Sequence, residues 1–322
     1  MDLTNIEKFP DFPKIIFMGT PDFAVPALQA LVASGHNLTA VVTQPDRRRG
    51  RGRKTSPSPV KKAALHHGLD VIQPENATDI SFQEVIKAKD PDIFVVIAYG
   101  QILRKSLLEL PRFGAINIHA SLLPRFRGAA PIQWAILRNE TVTGLTAMYM
   151  EEQLDAGPIL YQEEVPILTH ETAGRLHDRL SLKSGPFLLK TLQGLSENRL
   201  IAEPQDGSRA SYAPKIGKDM ALIRWNQKAK EVSALIRALD PWPGATTKAA
   251  SQEIKLFAAE TVEFSRSGFV PGRVVGLSEA GLLVEARDGI VRVGAMQKPG
   301  KKRLSAVDFF KGFPLESVAV LG

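Results

Sequence analysis

Apolar residues in the first half of the chain fall into short blocks of strand length, separated by amphipathic segments of helix length. Lys14 to Met18 reads as a buried strand. Gly19-Thr20-Pro21-Asp22 then turns the chain into a helix from about Phe23 to Ala33, with Thr20 as candidate cap and Pro21 at the first helical position. Leu38 to Thr43 is the next strand. It is followed by a helix from Pro59 to His67, a short strand near Leu69 to Ile72, a helix around Ser81 to Ala88 and the strong strand Asp92 to Ala98. Strands alternating with helices predict an α/β domain on a doubly wound, mostly parallel sheet, Rossmann-like in outline. The lone Gly19 does not make a G-x-G-x-x-G turn, so a dinucleotide site has little support.

Ala115 to Ile118 reads as a further buried strand, Ala130 to Leu137 as a helix with proline near its first turn, and Thr143 to Met150 and Ile159 to Val165 as two more strands. Glu171 to Leu195 carries helical periodicity, with Gly174 and Gly185 as weak points. Turn formers crowd Glu203 to Arg209, and a helix from Lys228 to Leu239 stops at Asp240-Pro241-Trp242-Pro243-Gly244. Beyond it, Glu253 to Ala258, Gly272 to Val275, Gly281 to Ala286 and Ile290 to Gly294 are short runs whose spacing suggests a smaller β-barrel. The expected division is a domain over residues 1–203, a linker over 204–217 and a second domain over 218–322.

A length of 322 residues agrees with two domains. The chain has no cysteine, which removes disulfides, thiolate nucleophiles and cysteine-ligated zinc and fits a reducing compartment. The amino terminus, MDLTNIEKFPDFPK, lacks the apolar core of a signal peptide, and the longest apolar run, Ile93 to Ala98, is too short to span a bilayer. A soluble, cytoplasmic protein without membrane partners is expected. The formal charge of +7 is unevenly placed, with a net of +1 over residues 1–203 and +6 over 204–322. One segment of the first half also departs from balance: Arg47, Arg48, Arg49, Arg51, Arg53 and Lys54 are opposed only by Asp46. Arginine forks match phosphate oxygens and the intervening glycines allow close approach, so this loop is a candidate polyanion site, against the plainer reading of a solvated insertion.

The densest chemistry lies in INIHASLLPRFRGAAP, from Ile116 to Pro131. Strand alternation sends Asn117 and His119 to one face at a strand's carboxyl end, where open parallel sheets bind ligands. An amide can donate to a developing oxyanion and an imidazole can move a proton near neutral pH, a pairing suited to acyl-type transfer. Alone, Asn-x-His also fits a satisfied strand-end histidine. Ser121-Leu122-Leu123-Pro124 and Arg125-Phe126-Arg127-Gly128 follow at once, and the whole string resembles the signature of the folate-dependent formyltransferases. Leu154-Asp155-Ala156-Gly157-Pro158 resembles that family's second motif. The resemblance implies Asn117, His119 and Asp155 as catalytic residues, and Ser121, Leu122, Leu123 and Pro124 as contacts to tetrahydrofolate. It also implies 10-formyltetrahydrofolate as the formyl donor, without a metal.

Gly19 to Phe23, Thr43 to Arg47, Ser56 to Lys61, Ala98-Tyr99-Gly100, Asp240 to Gly244 and Pro299 to Ala306 are similar to the branch of this family that formylates methionyl initiator tRNA. For that branch the basic loop (Arg47, Arg48, Arg49, Arg51, Arg53, Lys54) and a barrel of oligonucleotide-binding (OB-like) type are expected to grip the tRNA, with the protein acting as a monomer. Two departures stand out: Ala120 follows the histidine where glycine is common, and Arg224 precedes Trp225 where an aspartate is expected. The Asn-His-Asp set is shared with formyltransferases and formyl-folate hydrolases that use a small acceptor, such as a sugar-nucleotide amine, but these leave the basic loop and second domain idle. A non-catalytic RNA-binding module would use the charge and leave the three polar residues to coincidence.

Overall fold

Residues 8–49, 54–249, 252–263, 268–312 and 319–322 are described by the computed structural model. They divide into a unit of Met1–Gly128, Gly144–Val165 and His177–Tyr212 and a unit of Ala129–Thr143, Pro166–Leu176 and Ala213–Gly322. The first unit starts with β1 (Ile15–Gly19), α1 (Val25–Ala33), β2 (Leu38–Val42), a ribbon of β3 (Arg47–Arg49) and β4 (Lys54–Ser56), α2 (Pro59–His66), β5 (Val71–Ile72) and α3 (Ile80–Ala88). β6 (Ile93–Ile97), α4 (Lys105–Leu108) and β7 (Ala115–His119) follow. After α5 (Pro131–Leu137) come β8 (Val142–Tyr149), β9 (Ile159–Pro166) and α6 (Ala173–Ser196).

The seven-stranded sheet has the order β5-β2-β1-β6-β7-β8-β9. β5, β2, β1, β6 and β7 pair in parallel, and β8 joins β7 antiparallel. β1 and β6 are buried along their whole length, as central parallel strands covered on both faces must be. The chain winds outward from β1 through β2 to β5 and returns on the other side of β1 to β6. The order therefore reverses between β1 and β6, and the carboxyl ends of those strands form the crevice where this fold class binds ligands. Thr20 ties the two ends, its Oγ1 donating to Tyr99 O at 2.7 Å.

That bond changes the reading of Thr20, which does not cap the first helix. A 3-10 turn over Asp22–Ala24 intervenes, and α1 begins at Val25 with Pro26 in its first turn. The segment expected as a basic loop contains an antiparallel ribbon, with Arg47 opposite Ser56 and Arg49 opposite Lys54. Arg51 and Arg53 lie outside the described residues. Gly185 does not break α6. A Cβ there would come within 2.9 Å of both Ala30 Cβ and Pro26 O, so the glycine lets α6 lie close against α1.

The second unit contains α7 (Ala229–Ala238), β10 (Ala245–Ala249), β11 (Gln252–Val262), β12 (Val274–Ser278), β13 (Gly281–Glu285), β14 (Ile290–Gln297), β15 (Leu304–Ser305) and α8 (Ala306–Lys311). Its antiparallel sheet runs β10-β11-β14-β13-β12, with β15 on β14. The last residues join the two open edges. Val320 bridges to Arg273 beside β12 and Leu321 to Ala249 at the end of β10. Lys248 N donates to Gly322 O at 2.9 Å and Leu321 N to Gly272 O at 2.8 Å. The sheet so closes into a barrel, which removes the exposed edges that invite unwanted pairing. Arg224 is exposed between buried Ile223 and Trp225, so the departure noted there falls on a solvent-facing position of an alternating segment.

Residues 129–143 and 166–176, which the sequence places within 1–203, pack with this second unit. The reason is apolar: Ala130 belongs to the core that holds Trp225, Val232, Ile236 and Leu256, and Trp134 and Leu137 pack against it. Trp134 Nε1 also donates to Pro214 O at 2.8 Å. Among the described residues no helix is long and apolar enough to cross a membrane. A chain ending at Glu203 is therefore expected to leave the apolar face of α5 uncovered and to bind a hydrophobic dye such as ANS more strongly than the full chain. Equal dye binding and an equal midpoint of thermal unfolding would show that α5 does not need α7.

Candidate active site

β7 carries the two strand residues of the predicted trio to the carboxyl edge of the sheet. In register, Asn117 lies between Val96 of β6 and Met148 of β8, and His119 lies opposite Thr146. Asn117 is half-buried, whereas the His119 side chain is 8% exposed. His119 Nε2 is 3.0 Å from Phe126 O. A carbonyl only accepts, so Nε2 carries a hydrogen and donates it. The nitrogen left for proton exchange is Nδ1, and it faces Asp155 Oδ2 at 3.8 Å. That separation exceeds a direct hydrogen bond and admits an ion pair when the ring is protonated.

Asp155 reaches this position from the turn between β8 and β9. Its φ of 50° is left-handed, a conformation that costs a non-glycine residue of order 1–3 kcal/mol unless its surroundings fix it. They do: Gly128 N donates to Asp155 Oδ2 at 2.7 Å, and Gln205 Nε2 donates to Asp155 O at 2.9 Å and to Gly157 O at 2.7 Å. Gly157 has no alternative here, because a Cβ would lie 2.0 Å from Tyr149 O. Gln205 Oε1 in turn accepts from Arg127 Nε at 3.1 Å and Nη2 at 2.7 Å. One side-chain amide thereby joins the aspartate turn to the loop after His119. Nothing local in the sequence marks Gln205, which sits in the turn-rich stretch expected to open the linker.

The loop from Ser121 to Pro124 is fixed through its backbone. Thr146 Oγ1 donates to Ser121 O at 2.6 Å and accepts from Leu123 N at 3.1 Å, and Gln162 Nε2 donates to Leu123 O at 2.9 Å. Ser121 is fully buried and its hydroxyl donates to Arg125 O at 2.7 Å. Leu123 is buried as well, leaving Leu122 and Pro124 as the partly exposed members. Ser211 then holds the next turn, with Phe126 N donating to its Oγ at 2.9 Å and Arg127 N to its carbonyl at 2.8 Å. Phe126 adopts φ 59°, which turns its carbonyl toward His119.

The basic ribbon is rooted near the switch point. Asp46 accepts from Lys61 Nζ at 2.8 and 3.0 Å and from Gln73 Nε2 at 2.8 Å, and these bonds hold its carboxyl below the ordinary carboxylate range. Arg47 Nη2 donates to Gln44 Oε1 at 2.8 Å, and Gln44 Nε2 donates to Gly100 O at 2.7 Å. The ribbon's base is thus connected to the loop that follows β6. Tyr99 turns its ring inward and is 2% exposed, so it belongs to the packed core, and burial pushes its hydroxyl well above the ordinary range.

Family models of one enzyme class match both halves of the chain. The family model described as formyl transferase matches residues 13–192, and the model of the formyl transferase C-terminal domain matches residues 215–314. The class is therefore that of formyl-transferring enzymes. The chain is 45% identical over 309 residues, 96% of its length and 99% of the relative's, to a methionyl-tRNA formyltransferase of Moorella thermoacetica. It belongs to the methionyl-tRNA formyltransferase family.

Two solved structures share the fold. A crystal structure of HypX from Aquifex aeolicus in complex with tetrahydrofolic acid has a TM-score of 0.64 at 19% identity. It covers 93% of this chain, which spans about half of HypX, 47%. WlaRD, a sugar 3N-formyl transferase crystallised in the presence of dTDP and 5-N-formyl-THF, has a TM-score of 0.63 at 21% identity, over 90% of this chain and 98% of that one.

Replacing Asn117 with Ala is expected to lower turnover about 10²- to 10³-fold, as loss of an oxyanion donor does, with little change in folate affinity. Gln205→Leu is expected to lower stability by roughly 2–3 kcal/mol, because Asp155 O, Gly157 O and Arg127 lose a partner together. A denaturation midpoint equal to that of the parent chain would exclude this role for Gln205.

Proposed function

We propose that the protein transfers the formyl group of 10-formyltetrahydrofolate to the free amino group of methionyl initiator tRNA. The observation that carries the proposal is the arrangement at the end of β7: His119 is pinned through Nε2, and its Nδ1 is turned to an Asp155 that the backbone already holds. The names of the curated relatives support the acceptor, and the folates bound in the structural neighbours support the donor class. In this reading the amine nitrogen attacks the formyl carbon, the carbonyl oxygen becomes anionic, and the bond to N10 then breaks. The amine loses a proton and N10 gains one. Asn117 donates to the oxyanion, His119 stabilises the same charge, and Asp155 orients the imidazole and moves the proton through water, its Oδ1 having no bond to Gly128.

Catalysis of this kind needs no covalent intermediate on the protein. It needs orientation, and the bonds from the Thr146 and Gln162 side chains to the backbone of Ser121 and Leu123 support a donor side held in one geometry. Ser121 to Pro124 would shape the folate site, with Leu122 and Pro124 supplying surface and buried Ser121 holding the turn. In this reading the acceptor is gripped by the basic segment, Arg47, Arg48, Arg49, Arg51, Arg53 and Lys54, and by the barrel domain of residues 218–322.

Formyl incorporation into charged initiator tRNA, compared with elongator tRNA and free methionine, tests the acceptor directly. Incorporation into free methionine at the same rate would sink it. Changing Arg47, Arg48, Arg49, Arg51 and Arg53 to Gln is expected to weaken tRNA binding and to flatten its salt dependence by about 0.7 to 0.9 for each phosphate that is no longer neutralised. Folate affinity should not move. An unchanged salt slope would make the ribbon a solvated insertion.

A further inference from the structure

Two sequence blocks to which the chemistry assigns no task, Asp240 to Gly244 and Pro299 to Ala306, meet in the second unit. Asp240 is 4% exposed and takes both ends of Arg303, Nη1 to Oδ1 at 2.8 Å and Nη2 to Oδ2 at 2.9 Å. The same guanidinium lies 4.1 Å from the centre of the Phe257 ring. On the other flank Lys255 Nζ donates to Pro243 O at 2.5 Å and Gly244 N to Leu239 O at 2.8 Å. Gly174 N donates to Asp240 O at 2.9 Å. The turn is therefore held on both sides without help from the residue at its tip. That residue is Trp242, and it is 60% exposed.

An indole on a fixed backbone loses little conformational entropy on binding and offers one flat face. The turn that carries it is bonded by two cations, Lys255 at Pro243 and Arg303 at Asp240. The register of β11 on β14 pairs Lys255 with Gln297, and the chain continues from there through Lys298, Lys301 and Lys302 to Arg303. Lys301 and Lys302 are exposed, and among the described residues neither has a carboxylate partner. Asp240, the acid nearest in the bonding network, is already neutralised by Arg303. An exposed aromatic on a turn bonded by Arg303, which directly follows these two lysines in the chain, fits a single-stranded nucleic acid, since every base has a stacking face and every nucleotide a phosphate.

Resting on the acceptor proposed above, we infer that Trp242 is a stacking platform for an unpaired base of the tRNA, with Lys301 and Lys302 taking the adjacent phosphates. Trp242→Ala should raise the Kd for charged initiator tRNA by about 5- to 100-fold, with KM for 10-formyltetrahydrofolate unchanged and the salt slope retained, because stacking releases no counterions. Trp242→Phe keeps a ring and should stay within a few-fold of the parent chain. Lys301→Gln with Lys302→Gln should instead flatten the salt slope by about 0.7 to 0.9 for each phosphate released. Tryptophan fluorescence gives a direct reading: tRNA should quench the parent chain, and Trp242→Phe should lose most of that quenching. Undiminished affinity in Trp242→Ala, or undiminished quenching in Trp242→Phe, overturns the inference while leaving the acceptor in place. A parent chain that neither binds nor formylates charged tRNA removes the acceptor and the platform together.

Discussion

The site depends on backbone groups that bind side chains. His119 and Asp155 come from different strand ends, and no direct hydrogen bond joins them at 3.8 Å. Each is instead fixed by the turn between Phe126 and Gly128, which offers a carbonyl to the imidazole and an amide to the carboxylate. Two nearly buried polar groups would be costly without such partners, so the turn satisfies them and orients them in one step. The left-handed conformations of Phe126 and Asp155 are the local cost of that arrangement, and the hydrogen bonds of Gln205, Arg127 and Ser211 offset it.

The parallel sheet supplies the place at which this is useful. Winding outward from β1 and back to β6 leaves a crevice at the carboxyl ends of those strands, and β7 is the next strand along. Thr20, Gln44, Tyr99 and Gly100 close hydrogen bonds across the same ends. The basic ribbon grows from that network through Gln44 and Arg47, while Lys61 and Gln73 anchor the acid beside it. The basic ribbon is thus rooted in the same unit as Asn117, His119 and Asp155.

The barrel unit is organised by different physics. Its edges are joined by the last few residues, and its core takes in α5, whose sequence lies directly after the loop that follows His119. The chain therefore interleaves the two units. Trp134 and Leu137 pack there because α7 and the barrel offer an apolar face.

The sequence by itself determined the strand and helix alternation, the parallel sheet, the small barrel, the conjunction of Asn117 with His119 and the concentration of charge between Arg47 and Lys54. These follow from periodicity and spacing, which are local properties. Asp155 entered only through resemblance to a family, since nothing near it in the chain points to an imidazole. Only the tertiary structure decided that Gln205 joins the Asp155 turn to the loop after His119, that Thr20 binds Tyr99 rather than capping a helix, and that Gly185 marks a close approach of α6 to α1. It also brought Asp240 to Arg303 across 63 residues of sequence. Such choices depend on which groups folding brings within about 3 Å of one another, and a linear pattern of polar and apolar positions does not encode that distance.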